Sequence, residues 1–154
     1  MEQVYVGDIG AHEGKEVTLR GWVYNKRSSG KLQFILLRDG TGTIQCVAFK
    51  GNFTPEAFDE LDEVTQETSI EIRGKVRKDS RAPGGYELDM AGYRTYHLAE
   101  SYPITPKEHG TAFLTEHRHL WLRSSRQHAI LKIRHEVIKA CRDSLYLAVI
   151  ACYA

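Results

Sequence analysis

Two-residue alternation of apolar and polar positions dominates the first hundred residues. From Glu16 to Lys26, Val17, Leu19, Gly21 and Val23 fall on one face and Thr18, Arg20, Trp22 and Tyr24 on the other, the period of a half-buried strand. The turn Arg27-Ser28-Ser29-Gly30 leads into a second strand over Leu32 to Leu37, and Arg38-Asp39-Gly40-Thr41-Gly42 into a third over Thr43 to Phe49. These three form an antiparallel meander. Thr54-Pro55-Glu56 then supplies a hydroxyl N-cap, a proline at the first helical position and an acid in the first turn, predicting a short helix that ends near Val64. A fourth strand follows over Ser69 to Arg77, with Ile70, Ile72 and Val76 inward. Ala82-Pro83-Gly84-Gly85 turns the chain into a fifth, Tyr86 to Met90, with related sequence to His97.

Three strands, a helix and two more strands is the element order of the five-stranded OB-fold barrel, whose open face and loops bind oligonucleotides. An SH3-like barrel is the nearest rival, but it does not usually carry a helix at that point. The barrel is expected to occupy residues 1–100. Pro103, Pro106 and Gly110 mark residues 101–123 as a linker by composition. From Ser124, Ile130, Ile133, Val137 and Cys141, with Ala129 and Ile138 beside them, recur at helical spacing, and Ser124 with Gln127 makes a capping box. Residues 124–154 therefore read as an amphipathic helix plus an apolar tail, whose apolar face wants another domain or subunit.

A formal net charge of +1 argues against a uniformly basic nucleic-acid protein, so any case for binding rests on where the charges sit. Arg20 to Arg38 holds five basic residues and no acid, Arg73 to Arg81 five against Asp79, and Glu56 to Glu67 six acids and no base. That distribution allows a basic face and an acidic helix. Cys46, Cys141 and Cys152 fit neither a zinc site nor a disulfide framework, which points to a reducing cytoplasm. The N-terminus carries no secretory signal, and the one long apolar stretch, Leu145 to Ala154, is about half of the roughly 20 residues of a membrane helix.

A barrel face that binds single-stranded nucleic acid needs cations for phosphate, aromatic planes for stacking and groups that read base edges. Arg27 and Lys31 flank the first turn, Phe34 lies on the second strand, and Gln45 sits opposite it on the third. Pattern alone also fits Phe34 as core and Gln45 as a solvated strand residue. Trp22 and Tyr24 read as interior packing. His117 and His119 in Glu116-His117-Arg118-His119 lack the further ligands of a tetrahedral metal site. No catalytic motif is recognisable.

The stretch Gly21-Trp22-Val23, Arg27, Gly30-Lys31-Leu32, Phe34, Leu37 to Gly42 and Ile44-Gln45 resembles the tRNA-binding barrel of the aspartate, asparagine and lysine tRNA ligases of class IIb. Tyr102-Pro103-Ile104-Thr105-Pro106-Lys107-Glu108-His109-Gly110 and Glu116 to Ser124 resemble the asparagine family in particular, and the match runs to about Asp143. The resemblance implies that Phe34 stacks on the central uracil of the anticodon of asparagine tRNA, with Gln45 and Arg27 on the bases or their backbone. Lys31, Arg73, Lys75 and Arg77 are candidates for phosphate contacts. It also implies ATP and magnesium for the full-length ligase, and a homodimer built on the helix after Ser124, the first half of class II motif 1. After Asp143 the sequence departs from that motif and lacks its proline, and the ATP- and amino-acid-binding motifs are absent from these 154 residues. No cofactor and no aminoacylation are expected of this chain alone. A freestanding nucleic-acid-binding barrel and a fragment of an aspartate ligase are the alternatives.

Overall fold

The computed structural model describes residues 2–105 and 107–153, with the side chains of Glu2 and of residues 150–153 left aside. Pro106 of the expected linker and Ala154 lie outside the described residues, as does the side chain of Cys152. The chain divides into two compact units, Met1–Tyr102 and Pro103–Ala154.

In the first unit, strands β1 (Glu2–Gln3), β2 (Glu16–Ser29), β3 (Leu32–Arg38), β4 (Thr43–Phe49), β5 (Ser69–Lys78) and β6 (Tyr86–His97) form one sheet. Its order is β1-β2-β3-β4-β6-β5, and β5 pairs back onto β2, so five strands make a ring. All ring pairings are antiparallel except β4 with β6, where Gln45, Cys46 and Val47 lie parallel to Glu87, Leu88 and Asp89. This is the mainly β OB architecture that the element order predicts. Helix α1 (Pro55–Glu63) stands between β4 and β5, and the Thr54 hydroxyl caps it by accepting from Ala57 N. Its acids Glu56, Asp59, Glu60, Asp62 and Glu63 surround a buried pair, Phe58 and Leu61.

The core gathers the inward residues of every ring strand, among them Val17, Leu19, Ile35, Leu37, Ile44, Cys46, Ile70, Ile72, Val76, Leu88 and Met90, together with Phe58, Leu61 and Val64. Burial of the Cys46 thiol pushes its pKa far up, so it stays a small apolar residue at neutral pH. Gly74 is one place where only glycine fits, because a Cβ would strike the Asp89 carbonyl across the β5–β6 irregularity. Val4, Val6 and Ile9 also enter the core. Val4 follows β1, and Val6 and Ile9 belong to a 3-10 helix over Val6–His12; the sequence pattern predicts neither element. Asp39 ties this segment down. One of its carboxylate oxygens accepts from Val6 N at 2.8 Å, and the other from Thr41 N at 2.7 Å and Gly42 N at 2.9 Å.

Two expectations need correction. Trp22 and Tyr24 are not interior residues, being 42% and 37% exposed on the outside of β2. The alternation that buries Val23 already sends both outward, and aromatic size does not override it. Nor does Gln45 sit opposite Phe34: β3 and β4 pair Phe34 with Val47 and Leu36 with Gln45, so Gln45 is the diagonal neighbour of Phe34 on the same face. β2 also carries a bulge, because its pairing with β3 steps from Val23 opposite Leu37 to Asn25 opposite Leu36. Odd-numbered residues face inward up to Val23 and outward from Asn25, so Arg27 shares the outer face with its partner Phe34.

In the second unit the stretch expected as a linker contains two short helices, α2 (Thr111–Glu116) and α3 (Arg118–Trp121). Phe113 lies between His109 and His117, with ring centroids at 4.9 and 4.3 Å. Helix α4 runs from Ser125 to Tyr153 without a break, so the apolar tail continues the helix. The Ser124 hydroxyl receives Gln127 N at 3.4 Å, one half of the expected capping box. Ile130, Ile133, Val137 and Leu145 stand exposed along α4. Among the described residues no helix is long and apolar enough to cross a membrane.

Candidate nucleic-acid interface

The outward residues of β2, β3, β4, β6 and β5 frame an open groove of ≈ 650 Å³. Leu32, Phe34, Val47 and Phe49 form its apolar floor, and Arg27, Gln45, Asn52, Arg77, Asp79, Arg81, Glu87 and Asp89 its polar walls. A smaller recess of ≈ 220 Å³ lies beyond it among Asn25, Lys26, Leu36 and Pro83, sharing Arg27, Phe34 and Gln45 with the groove. Those three residues therefore partition the face into two compartments.

A polar relay crosses four strands. The Arg27 guanidinium lies 4.5 Å from the centroid of the Phe34 ring, and its Nη2 donates to Gln45 Oε1 at 3.2 Å. Gln45 Nε2 donates to Glu87 Oε2 at 3.1 Å. Arg77 donates to Glu87 Oε1 and lies 3.5 Å from Asp89 Oδ1. Arginine only donates and a carboxylate only accepts, so neither neighbour tolerates a flip of the Gln45 amide. Glu87 is 3% exposed, a buried carboxylate that accepts from two partners, Gln45 and Arg77. Its hydrogen bond raises the Arg77 pKa further, with Asp89 adding to the shift.

The sequence reading placed Arg27, Phe34, Gln45 and Arg77 among the candidates, and these four come together. Lys31 is exposed in the two-residue turn that Gly30 closes at φ 59°, and it lines neither compartment. Arg73 and Lys75 are exposed on β5 and also line neither. Sequence reasoning misses Glu87, Asp89, Asp79, Arg81 and, on the apolar floor, Leu32, Val47 and Phe49. The available signal for Glu87 was its mirror position to Arg77 across the turn from Lys78 to Tyr86, a cross-strand pair of opposite charge.

The groove is not a basic face. Arg27, Arg77 and Arg81 meet Asp79, Glu87 and Asp89 there, three cations and three anions. Arg81 pairs with Asp79 at 2.8 Å, which draws the Asp79 pKa down to about 2. Of the acid-free run from Arg20 to Arg38, Arg20 pairs with Glu71, Lys26 lies against Asp62, and Arg38 pairs with Glu67. Most of that positive charge serves the fold. What remains on the face is an aromatic plane, a fixed carboxamide and directed donors and acceptors, the equipment for reading unpaired bases by stacking and edge contacts.

Comparison with known proteins identifies the family of the barrel. Residues 17–95 match the tRNA anticodon model, described as an OB-fold nucleic acid binding domain. An asparagine–tRNA ligase of Chloroflexus aurantiacus is 57% identical over 140 residues, covering 91% of this chain and 32% of the relative. One from Herpetosiphon aurantiacus is 53% identical over 145 residues, covering 94% and 32%. The crystal structure of asparaginyl-tRNA synthetase from Pyrococcus horikoshii complexed with asparaginyl-adenylate superposes with a TM-score of 0.85 at 33% identity, over 94% of this chain and 34% of that one. The chain thus spans about a third of the length of the relatives it matches. With its fold and more than half of its length agreeing, the chain belongs to the tRNA anticodon family of OB-fold nucleic acid binding domains.

Proposed function

We propose that this anticodon-binding domain reads the anticodon loop of asparagine tRNA as part of an asparagine–tRNA ligase. The observation that carries the proposal is the side-by-side placement of Arg27, Phe34 and Gln45 on the open face. Phe34 offers the plane on which the central uracil stacks. Gln45 offers a carboxamide whose donor and acceptor complement the O4 and N3–H of uracil. Each Gln45 atom is engaged once within the protein, and the amide keeps a second proton and a second lone pair for a base. Arg27 lies against the Phe34 ring in the free protein, so a base that stacks there displaces the guanidinium, which is then available to a phosphate. Lys31, Arg73 and Lys75 serve at most as contacts to the backbone of the RNA.

In the full-length ligase, the reading head delivers the tRNA to a catalytic part that joins asparagine to it with ATP and magnesium. The exposed apolar residues of α4 give that enzyme a homodimer contact. The work belongs in the cytoplasm, where tRNA is charged. An asparagine anticodon stem-loop should bind this chain several-fold more tightly than one whose central uracil is replaced, as measured by fluorescence anisotropy. Equal binding of both at several salt concentrations would overturn the anticodon reading and leave a module for single-stranded nucleic acid in general.

A further inference from the structure

The side of the β2–β3 ribbon turned away from the groove carries a second polar cluster. Gln33 adjoins Phe34 in sequence but faces α1 and is 1% exposed. Its Nε2 donates to the Phe58 carbonyl at 3.0 Å and to Asp62 Oδ1 at 3.1 Å. Lys26 and Ser28 flank Arg27 and share the face of Gln33. The Lys26 ammonium donates to the carbonyls of Leu61 and Asp62, each at 2.7 Å, and the Ser28 hydroxyl lies 3.3 Å from Asp62 Oδ1. A cation at a helix C-terminus satisfies carbonyls that the helix leaves open and complements its dipole. Burial lowers the Lys26 pKa, against the opposing pull of Asp62. Gln33 Oε1 has no protein partner, a cost that an apolar residue of similar volume avoids. The links to Phe58 and Asp62 are what the glutamine supplies in exchange.

These contacts bear on the reading face because of where the ribbon stands. β5 pairs with β2 only between Glu16 and Trp22. From Asn25 to Ser29, among the described residues, β3 is the strand partner of β2. A two-stranded ribbon is marginal by itself. Helix α1 backs it through side chains that alternate with Arg27 and Phe34.

We propose that Lys26, Gln33 and Asp62 are positioning residues, which staple the last turn of α1 to the back of the ribbon and thereby hold Arg27 and Phe34 in the geometry that uracil recognition requires. The inference deepens the anticodon reading and rests on it. Its test uses the full chain with Gln33→Leu, Lys26→Met and Lys26→Arg. Two quantities are read: amide hydrogen exchange at residues 27–34, relative to barrel amides such as Leu19 and Ile72, and the binding ratio between the uracil stem-loop and its uracil-replaced counterpart. Gln33→Leu and Lys26→Met should fold cooperatively, lose at least tenfold in ribbon protection and lose at least fivefold in the ratio. Lys26→Arg, which keeps the donors, should restore most of both. Ribbon protection unchanged by Gln33→Leu overturns the staple, and a loosened ribbon with an intact ratio overturns the positioning role. If Gln33→Leu does not fold, Lys26→Met carries the same two readouts. Absence of a uracil preference in the unaltered chain is a separate failure: it removes the anticodon reading, while ribbon protection still decides whether the staple exists.

Discussion

Phe34 and Ile35 are neighbours in β3 that face opposite ways, and truncating each should produce opposite phenotypes. Ile35 is fully buried within the core and Phe34 stands outside it, half-buried on the groove floor. Ile35→Ala removes atoms from a packed interior, which costs about 2–5 kcal/mol of stability. Phe34→Ala forfeits the Arg27 contact, about 0.5–1 kcal/mol at an exposed site, and little else. For a folding unit of about a hundred residues, 1 kcal/mol moves the melting temperature by roughly 4–8 °C. Phe34→Ala should therefore lower it by no more than roughly 8 °C, and Ile35→Ala by about twice that or more. Binding should reverse the ranking. Stacking on an aromatic contributes about 1–3 kcal/mol per base, so Phe34→Ala should weaken binding of an asparagine anticodon stem-loop by roughly 5- to 150-fold. Ile35→Ala, measured well below its melting point, should bind nearly as the unaltered chain does.

Circular dichroism melting and fluorescence anisotropy at one salt concentration give both numbers for both variants. If Phe34→Ala destabilises the chain as much as Ile35→Ala, Phe34 belongs to the core and the site is misassigned. If it melts normally and binds normally, the groove is not where the base stacks.

The charge balance of the groove predicts a shallow salt dependence. Among the described residues no carboxylate pairs with Arg27 or Lys31, and at about −0.7 per phosphate for a single strand these two cations give a log–log slope of about −1 to −2. A slope of −5 or steeper would mean that phosphate contacts dominate. Alkaline stability offers a third prediction, through Tyr93, whose hydroxyl donates to the Ala57 carbonyl at 2.7 Å and to Glu60 at 3.2 Å. Burial, then Glu60, pushes its pKa up to about 12. A folded pKa above the unfolded value of about 10 means that the stabilisation is complete below pH 10 and is lost as pH rises through 12. Tyr93→Phe should flatten the fall in melting temperature between pH 10 and 12, and an unchanged fall would show that Tyr93 does not link α1 to β6 as the geometry requires.

Legibility in the sequence followed the strength of local periodicity. The ring strands and α1 were readable because alternation, turn glycines and the Thr54-Pro55 cap all agree at the same positions. The N-terminal plug was not readable. β1 has two residues and the 3-10 helix has no apolar repeat, so this segment acquires its meaning only through contacts distant in sequence, Val4 N donating to the Thr18 carbonyl and Val6 N to Asp39. The bulge was equally hidden, since Tyr24 and Asn25 are both exposed residues in a polar stretch and nothing marks one of them as extra. Yet the bulge is what brings Arg27 onto the face of Phe34. At the site, residues with an obvious nucleic-acid chemistry were found, and those that look wrong for RNA were missed. An acid on a phosphate-binding surface reads as a repulsive element until its partner is known, and Glu87 gains its partners Arg77 and Gln45 from two other strands.

That pairing also bears on the kind of recognition proposed for the face. A groove that attracted RNA through free cations would hold any single strand, because every nucleotide carries the same phosphate. Here Glu87 and Asp89 engage Arg77, and Asp79 engages Arg81, so the non-specific attraction is largely spent inside the protein. The Gln45 amide is held in one orientation by the same arrangement. A base that presents the wrong donor or acceptor to Gln45 leaves a desolvated polar group without a partner, a penalty of about 1–3 kcal/mol that no surplus of phosphate contacts offsets. On the proposed reading, the acids that lower the affinity of the groove for RNA in general are therefore the same groups that sharpen its choice between bases.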